Sequence, residues 1–152
     1  MSVQNKLLKI LDQEFNKYNK ELGSSINKEI LKNFDAQKDI DGNNFSPLRD
    51  STVKQKRRAG FGDKPILVRT GKLRKSIKTS IKKQSIEVSS NVSYAQILNN
   101  GRPDMSARPF LEIPKKFEPG TKDSEKIFDK FAKNLEKKVI DVINKVTTKE
   151  AK

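Results

Sequence analysis

Two spacings of apolar residues divide the chain. From the start, apolar side chains fall at Val3, Leu7, Leu11, Phe15, Tyr18, Leu22, Ile26, Ile30 and Phe34, with Ile10 and Leu31 alongside. Gaps of three and four sustained over that length predict an amphipathic helix. Unbroken, it would extend about 45 to 50 Å at 1.5 Å per residue, longer than a small domain is wide. A break at Gly23-Ser24-Ser25 is therefore expected. The same period returns in Phe128, Phe131, Leu135, Val139, Val142 and Val146, with Ile127 and Ile143 beside them. Asp123-Ser124 can cap that second helix, with Glu125 in its first turn. Between the helices the period drops to two: Ile77, Thr79 and Ile81 alternate with Lys78, Ser80 and Lys82, and Ile86 and Val88 with Ser85, Glu87 and Ser89. That alternation predicts an antiparallel hairpin turning at Lys83-Gln84.

The stretch Ile66 to Ile81 joins these regimes. An apolar triplet, Ile66 to Val68, runs into Thr70-Gly71, and Leu73, Ser76 and Ile77 then have the spacing of one helical turn. Gly71 can take positive φ without a Cβ clash, so Thr70-Gly71 reads as a structural turn. Asp39, Asp41 and Gly42 mark another, because Asp bonds its own backbone and Gly accepts positive φ; Phe45 and Leu48 should pin it to the core. Residues 52–65, TVKQKRRAGFGDKP, predict an exposed, mobile basic loop. Val92, Tyr94, Ile97 and Leu98 end in Asn99-Asn100-Gly101, a stop signal. Phe110, Leu111 and Ile113, fenced by Pro109 and Pro114, predict a short edge strand able to pair with another subunit. The fold class is α+β: a small antiparallel sheet packed against long N-terminal and C-terminal amphipathic helices. One domain is expected over 1–146, with a frayed tail over 147–152.

Composition narrows the chemistry. Only 33% of the 152 residues are apolar, so the core is thin. With no cysteine and no histidine, disulfides, thiolate chemistry, Cys/His zinc sites and imidazole catalysis are excluded. No stretch is long and apolar enough to span a membrane, and the opening residues lack a signal-peptide pattern, so a soluble protein made in a cytoplasm is expected. The net charge of +14 is concentrated: residues 1–50 are neutral, 51–83 carry +11 and 84–152 carry +3. A field that local suits either nucleic-acid phosphate or an acidic protein partner. Its candidate residues are Lys54, Lys56, Arg57, Arg58, Arg69, Lys72 and Arg74.

Other motifs are weak. Asp39, Asp41, Asn43 and Asp50 partly mimic a calcium loop, but Asn44 stands where such a loop demands glycine. Asp39, Asp41 and Asp50 are also the only carboxylate cluster a metal-dependent hydrolase could use. Gly60-Phe61-Gly62 lacks the third glycine of a dinucleotide site, and the Ser51-Thr52-Val53-Lys54 match to penicillin-recognising enzymes has its companion pieces in the wrong order. No catalytic residue, cofactor or metal is expected.

Four fragments, taken in order, resemble the bacteriophage virion-morphogenesis or tail-completion family. They are Asp39 to Leu48 followed by Ser51-Thr52; Ile66-Leu67 running into Thr70-Gly71, Leu73 and Ser76-Ile77; Tyr94-Ala95 ending in Gly101; and Ala107-Arg108-Pro109-Phe110-Leu111. The resemblance spans roughly residues 35 to 145; Phe45 stands where relatives commonly carry tryptophan. It implies a structural, non-enzymatic protein of the neck or tail terminus that acts as an oligomeric ring in tail completion and head-tail joining. It also implies contacts with other tail or connector proteins, and a virion location after assembly in the host bacterial cytoplasm. On that reading Arg108, Pro109 and Phe110 are a candidate subunit contact, with Arg108 and Phe110 simply solvated and core as the equal alternative. A nucleic-acid-binding module using segment 51–83 is the competing function, and passage of DNA through a ring would satisfy both.

Overall fold

A computed structural model describes residues 1–82 and 85–150. The elements run α1 (Val3–Asp35), α2 (Asp50–Arg58), α3 (Lys72–Ser76), β1 (Ile77–Lys82), β2 (Ser85–Ser90), α4 (Ala95–Asn100), a 3-10 turn at Lys115–Phe117, and α5 (Lys122–Glu150). The class is α+β, with β1 and β2 forming a two-stranded antiparallel sheet. Contacts gather into two compact units, Ser24–Lys115 and Met1–Gly23 with Lys116–Lys152.

The Ser24–Lys115 unit holds the apolar core. Ile26, Ile30 and Phe34, one turn apart on α1, are buried with Phe45, Leu73, Ile77, Val92, Ala95 and Phe110. Phe34 is the hub: Phe45 meets it edge-on at 6.1 Å between ring centres and Phe110 at 5.7 Å, the geometry that the ring quadrupoles favour. The sheet register pairs Thr79 with Val88 and Ile81 with Ile86. Ile77 enters the core, the Thr79 hydroxyl donates to Asn27 Oδ1 of α1 at 3.3 Å, and Ile81 is exposed, so the apolar face lifts away toward the hairpin end. Residues 83 and 84, where the turn was expected, lie outside the described residues.

Local chemistry sets the joints. Gln37 takes φ 60 just past α1, its N–H reaching Phe34 O while Lys38 N–H reaches Asn33 O. This paired closure is a Schellman motif, usually built on glycine. Gln37 stays because its side-chain amide donates to Phe34 O and to Ile66 O, tying the 66–68 segment to the helix end. Gly71, at φ 76, turns the chain into α3. Gly101 answers to close approach: a Cβ there would stand 2.6 Å from Ala107 N and 2.7 Å from Met105 O.

Several expectations are corrected. Helix α1 passes through Gly23-Ser24-Ser25 without a break, since one interior glycine costs only about 1 kcal/mol and the apolar stripe continues on both sides of it. Half of the 52–65 loop is helix α2, with Asp50 in its first turn and Lys56 to Arg58 in its last, the arrangement the helix dipole favours. Phe110 to Ile113 form no strand. Instead the buried Asn99 carboxamide oxygen accepts the N–H groups of both Phe110 and Leu111 at 2.8 Å each, doing for this segment what a sheet ladder would. The α5 cap is Thr121, whose carbonyl accepts from Glu125 N–H and whose hydroxyl accepts from Ser124 N–H. That helix runs Lys122–Glu150.

In the other unit α1 and α5 pack antiparallel, as the descending and ascending numbers of their partners require. Phe15 and Tyr18 meet Phe131, and Tyr18 also meets Phe128; Glu21 pairs with Lys130 at 2.8 Å and Glu14 with Lys138 at 2.6 Å. The buried Glu14 also accepts from Lys17 at 2.9 Å. Hydrogen bonds from Lys138 and Lys17 hold its carboxyl below the usual glutamate range. Asn19 is buried too, and its Nδ2 finds no acceptor among the described residues. Among the described residues, none of the apolar side chains buried in the core belongs to this unit.

Two predictions follow from these contacts. Asn99→Ala strips two inward-facing N–H groups of their acceptor and should lower unfolding stability by about 2 to 4 kcal/mol in urea titration, whereas Gln96→Ala, at an exposed position of the same helix, should leave the midpoint in place. Because folding depresses the Glu14 pKa, its contribution is fully present above the ordinary value of 4.5 and disappears as pH falls through the lower folded value. The stability gap between the parent and Glu14→Gln should therefore be constant at neutral pH and close on acidification below 4.5; a gap that does not depend on pH would contradict the assignment.

Candidate functional site

Segment 47–108 builds an apolar groove with a basic rim. The loop before α2, α2 itself, the turn 67–73, α4 and the strap 102–108 enclose a cavity of about 760 Å³. Leu48, Leu67, Val68, Leu98 and Met105 line it, with the exposed Tyr94 at its edge. Arg49, Lys56, Arg69, Lys72 and Arg102 surround these.

The strap is fixed from below by Arg108. The residue is 4% exposed, and its guanidinium donates to carbonyls: Ser46 O at 2.8 and 3.0 Å, Pro47 O at 3.1 Å and Ser106 O at 3.2 Å. Burial lowers its pKa, yet guanidinium is basic enough to stay charged. The rigid fork suits a cluster of carbonyls that an ammonium could not satisfy together. Arg108 N–H also reaches Leu98 O at 3.1 Å, so α4, the strap and the 46–47 loop share one anchor. The α2 side is closed by Lys56, whose ammonium donates to Lys64 O at 2.6 Å and Pro65 O at 3.1 Å. Leu67, on the wall, holds φ 62, a conformation that costs a bulky residue on the order of 1 to 3 kcal/mol.

The candidate residues from the sequence separate into groups. Of the subunit-contact trio, Arg108 and Phe110 are occupied inside their own chain, and Pro109 is half-buried with its carbonyl accepting from Ile40 N–H at 3.2 Å. Of the basic residues, Arg74 makes a two-point pair with Asp35 at 2.5 and 2.6 Å; its hydrogen bonds push the Asp35 carboxyl below the usual range. Arg69 stacks over Phe61 at 4.8 Å from the ring centre. Lys56, Arg69 and Lys72 border the groove, while Lys54, Arg57 and Arg58 lie exposed on α2. Asp39 Oδ1 accepts the N–H groups of Asp41 and Asn43 at 2.9 Å each, with Gly42 at φ 85. Asp41 pairs with Lys115 at 3.0 Å. Among the described residues no group of three acidic side chains could hold a metal ion, and no helix is long and apolar enough to cross a membrane. Asn99, the Arg108 carbonyl cluster and the strained Leu67 had no sequence signal beyond their polarity or neighbours.

Arg108→Ala would leave the clustered carbonyls of the strap and the 46–47 loop without donors. It should destabilise the protein by about 3 kcal/mol, and amide hydrogen exchange should quicken at residues 98–111. Arg102→Ala, on the exposed rim, should do neither.

Searches of curated proteins and of solved structures returned no match. A family model described as the phage virion morphogenesis family matches residues 2–136, which takes in the whole Ser24–Lys115 unit with its groove, all four sequence fragments and part of the other unit. The chain belongs to the phage virion morphogenesis family.

Proposed function

We propose that the protein is a structural component of the virion neck or tail terminus, working as a homo-oligomeric ring in tail completion and head-tail joining. One observation supports assembly above the others: among the described residues, the α1–α5 unit buries no apolar side chain as fully as the core does, and it leaves large ones in water. Phe128 is 52% exposed, Ile143 50% and Ile140 47% on α5; Leu8 is 53% and Leu11 43% exposed on α1. Two helices paired alone cannot cover a stripe this wide, and apolar surface of this kind is covered by subunit contact in closed assemblies. No chemistry is assigned to the protein, in keeping with a family whose work is morphogenesis.

Sedimentation or light scattering of nuclease-treated protein should give a discrete closed oligomer that survives high salt, because the contact is apolar. Ile140→Glu with Ile143→Glu, three residues apart on one side of α5, should give a monomer with unchanged helical circular dichroism. A parent protein that is monomeric at all accessible concentrations, or a variant that keeps the parent's mass, would refute the assembly mode.

A further inference from the structure

We infer that the groove of the Ser24–Lys115 unit docks an acidic protein segment that carries an apolar anchor. Charge complementarity is the first argument. Among the described residues, six of those lining the groove are cationic and only Asp104 is anionic, and Asp104 is already paired with Arg102 at 2.7 Å. The other contacts of these cations do not neutralise them. Lys56 and Arg108 bind carbonyls, and Arg69 covers a phenyl ring, which leaves a positive field over an apolar floor.

The floor decides between anionic partners. A phosphate backbone would meet the rim but has nothing to place against Leu48, Leu67, Val68, Leu98 and Met105. Stacking successive bases would need several open aromatic faces; Phe61 is already covered by Arg69, and among the described lining residues Tyr94 is the only aromatic left exposed, at the edge. A segment with Leu, Phe or Met between Asp and Glu matches both layers, since desolvated apolar anchors carry binding energy and the charged rim adds steering and selectivity. The cavity of about 760 Å³ falls in the range of built ligand sites. Leu67, a bulky residue held at φ 62 in the wall, is strain of the kind that clusters at such sites. This site does not require the ring, because its lining comes wholly from the Ser24–Lys115 unit.

The test is selection from a random-peptide display library on the whole immobilised chain, followed by anisotropy titration of the enriched peptides with short duplex DNA as competitor. Enrichment of peptides with acidic residues flanking an apolar centre is expected. Arg49→Glu with Lys72→Glu, both exposed and both lining the groove, should weaken their binding about tenfold or more. Lys54→Glu with Arg58→Glu, exposed on α2 and outside the lining, should leave it near the parent value. No acidic-apolar consensus, equal loss in both pairs, or displacement of the peptide by DNA would overturn the inference. Solution mass, recorded for each variant, separates failure of this site from failure of assembly.

Discussion

The guanidinium of Arg108 is the charge around which the Ser24–Lys115 unit is arranged. Removing such an ion from water is expensive, and no carboxylate comes down to meet it; backbone carbonyls from the 46–47 loop and from Ser106 supply the compensation. Those carbonyls can converge only if the loop before α2 and the strap after α4 lie close together. Gly101 makes that approach feasible, since a side chain there would collide with the strap backbone. Two residues beyond Arg108, Phe110 enters the aromatic cluster on Phe34, and Asn99 accepts the N–H groups that this descent would otherwise leave bare. The groove is the upper surface of the same arrangement.

Polar anchoring of this sort is what a chain poor in apolar residues can use. With about one residue in three apolar, the fully buried apolar positions are all committed to the Ser24–Lys115 unit. The α1–α5 unit relies on half-covered aromatics and on ion pairs such as Glu14 with Lys138 and Glu21 with Lys130. An exposed pair such as Glu21 with Lys130 contributes little to stability by itself, so the unit's marginal interior and its exposed aliphatic side chains have a common origin. Subunit contact would relieve both.

Periodicity made the long helices and the hairpin strands legible, because each repeats a simple geometric rule over several residues. The Asp39 turn was legible for a related reason: Asx chemistry is local, and Asp39 bonds backbone only two and four residues ahead. What escaped were substitutions of one hydrogen-bonding scheme for another across long sequence distances. The Phe110 to Ile113 segment has strand composition, but its partner is a side-chain amide eleven and twelve residues away, not a neighbouring strand. Residues 50–58 have loop composition, yet their charges happen to suit a helix dipole. Arg108 beside Phe110 offers an attractive surface pair on paper, and nothing in the local sequence reveals that Ser46 and Pro47, some sixty residues earlier, consume it.

The +11 of residues 51–83 takes on a different meaning once these contacts are known. Arg74 is neutralised by Asp35, Lys56 closes a loop by donating to its carbonyls, and Arg69 covers the Phe61 ring. A uniform phosphate-binding face would keep its cations extended and interchangeable. Here Lys56, Arg69 and Arg74 are individually placed, and Lys56, Arg69 and Lys72 frame apolar residues of the groove. Basic charge set around an apolar floor discriminates by shape as well as by sign, which favours recognition of one folded or extended protein segment over general attraction to nucleic acid. On the docking inferred for the groove, that distinction would give the basic segment a role in choosing partners.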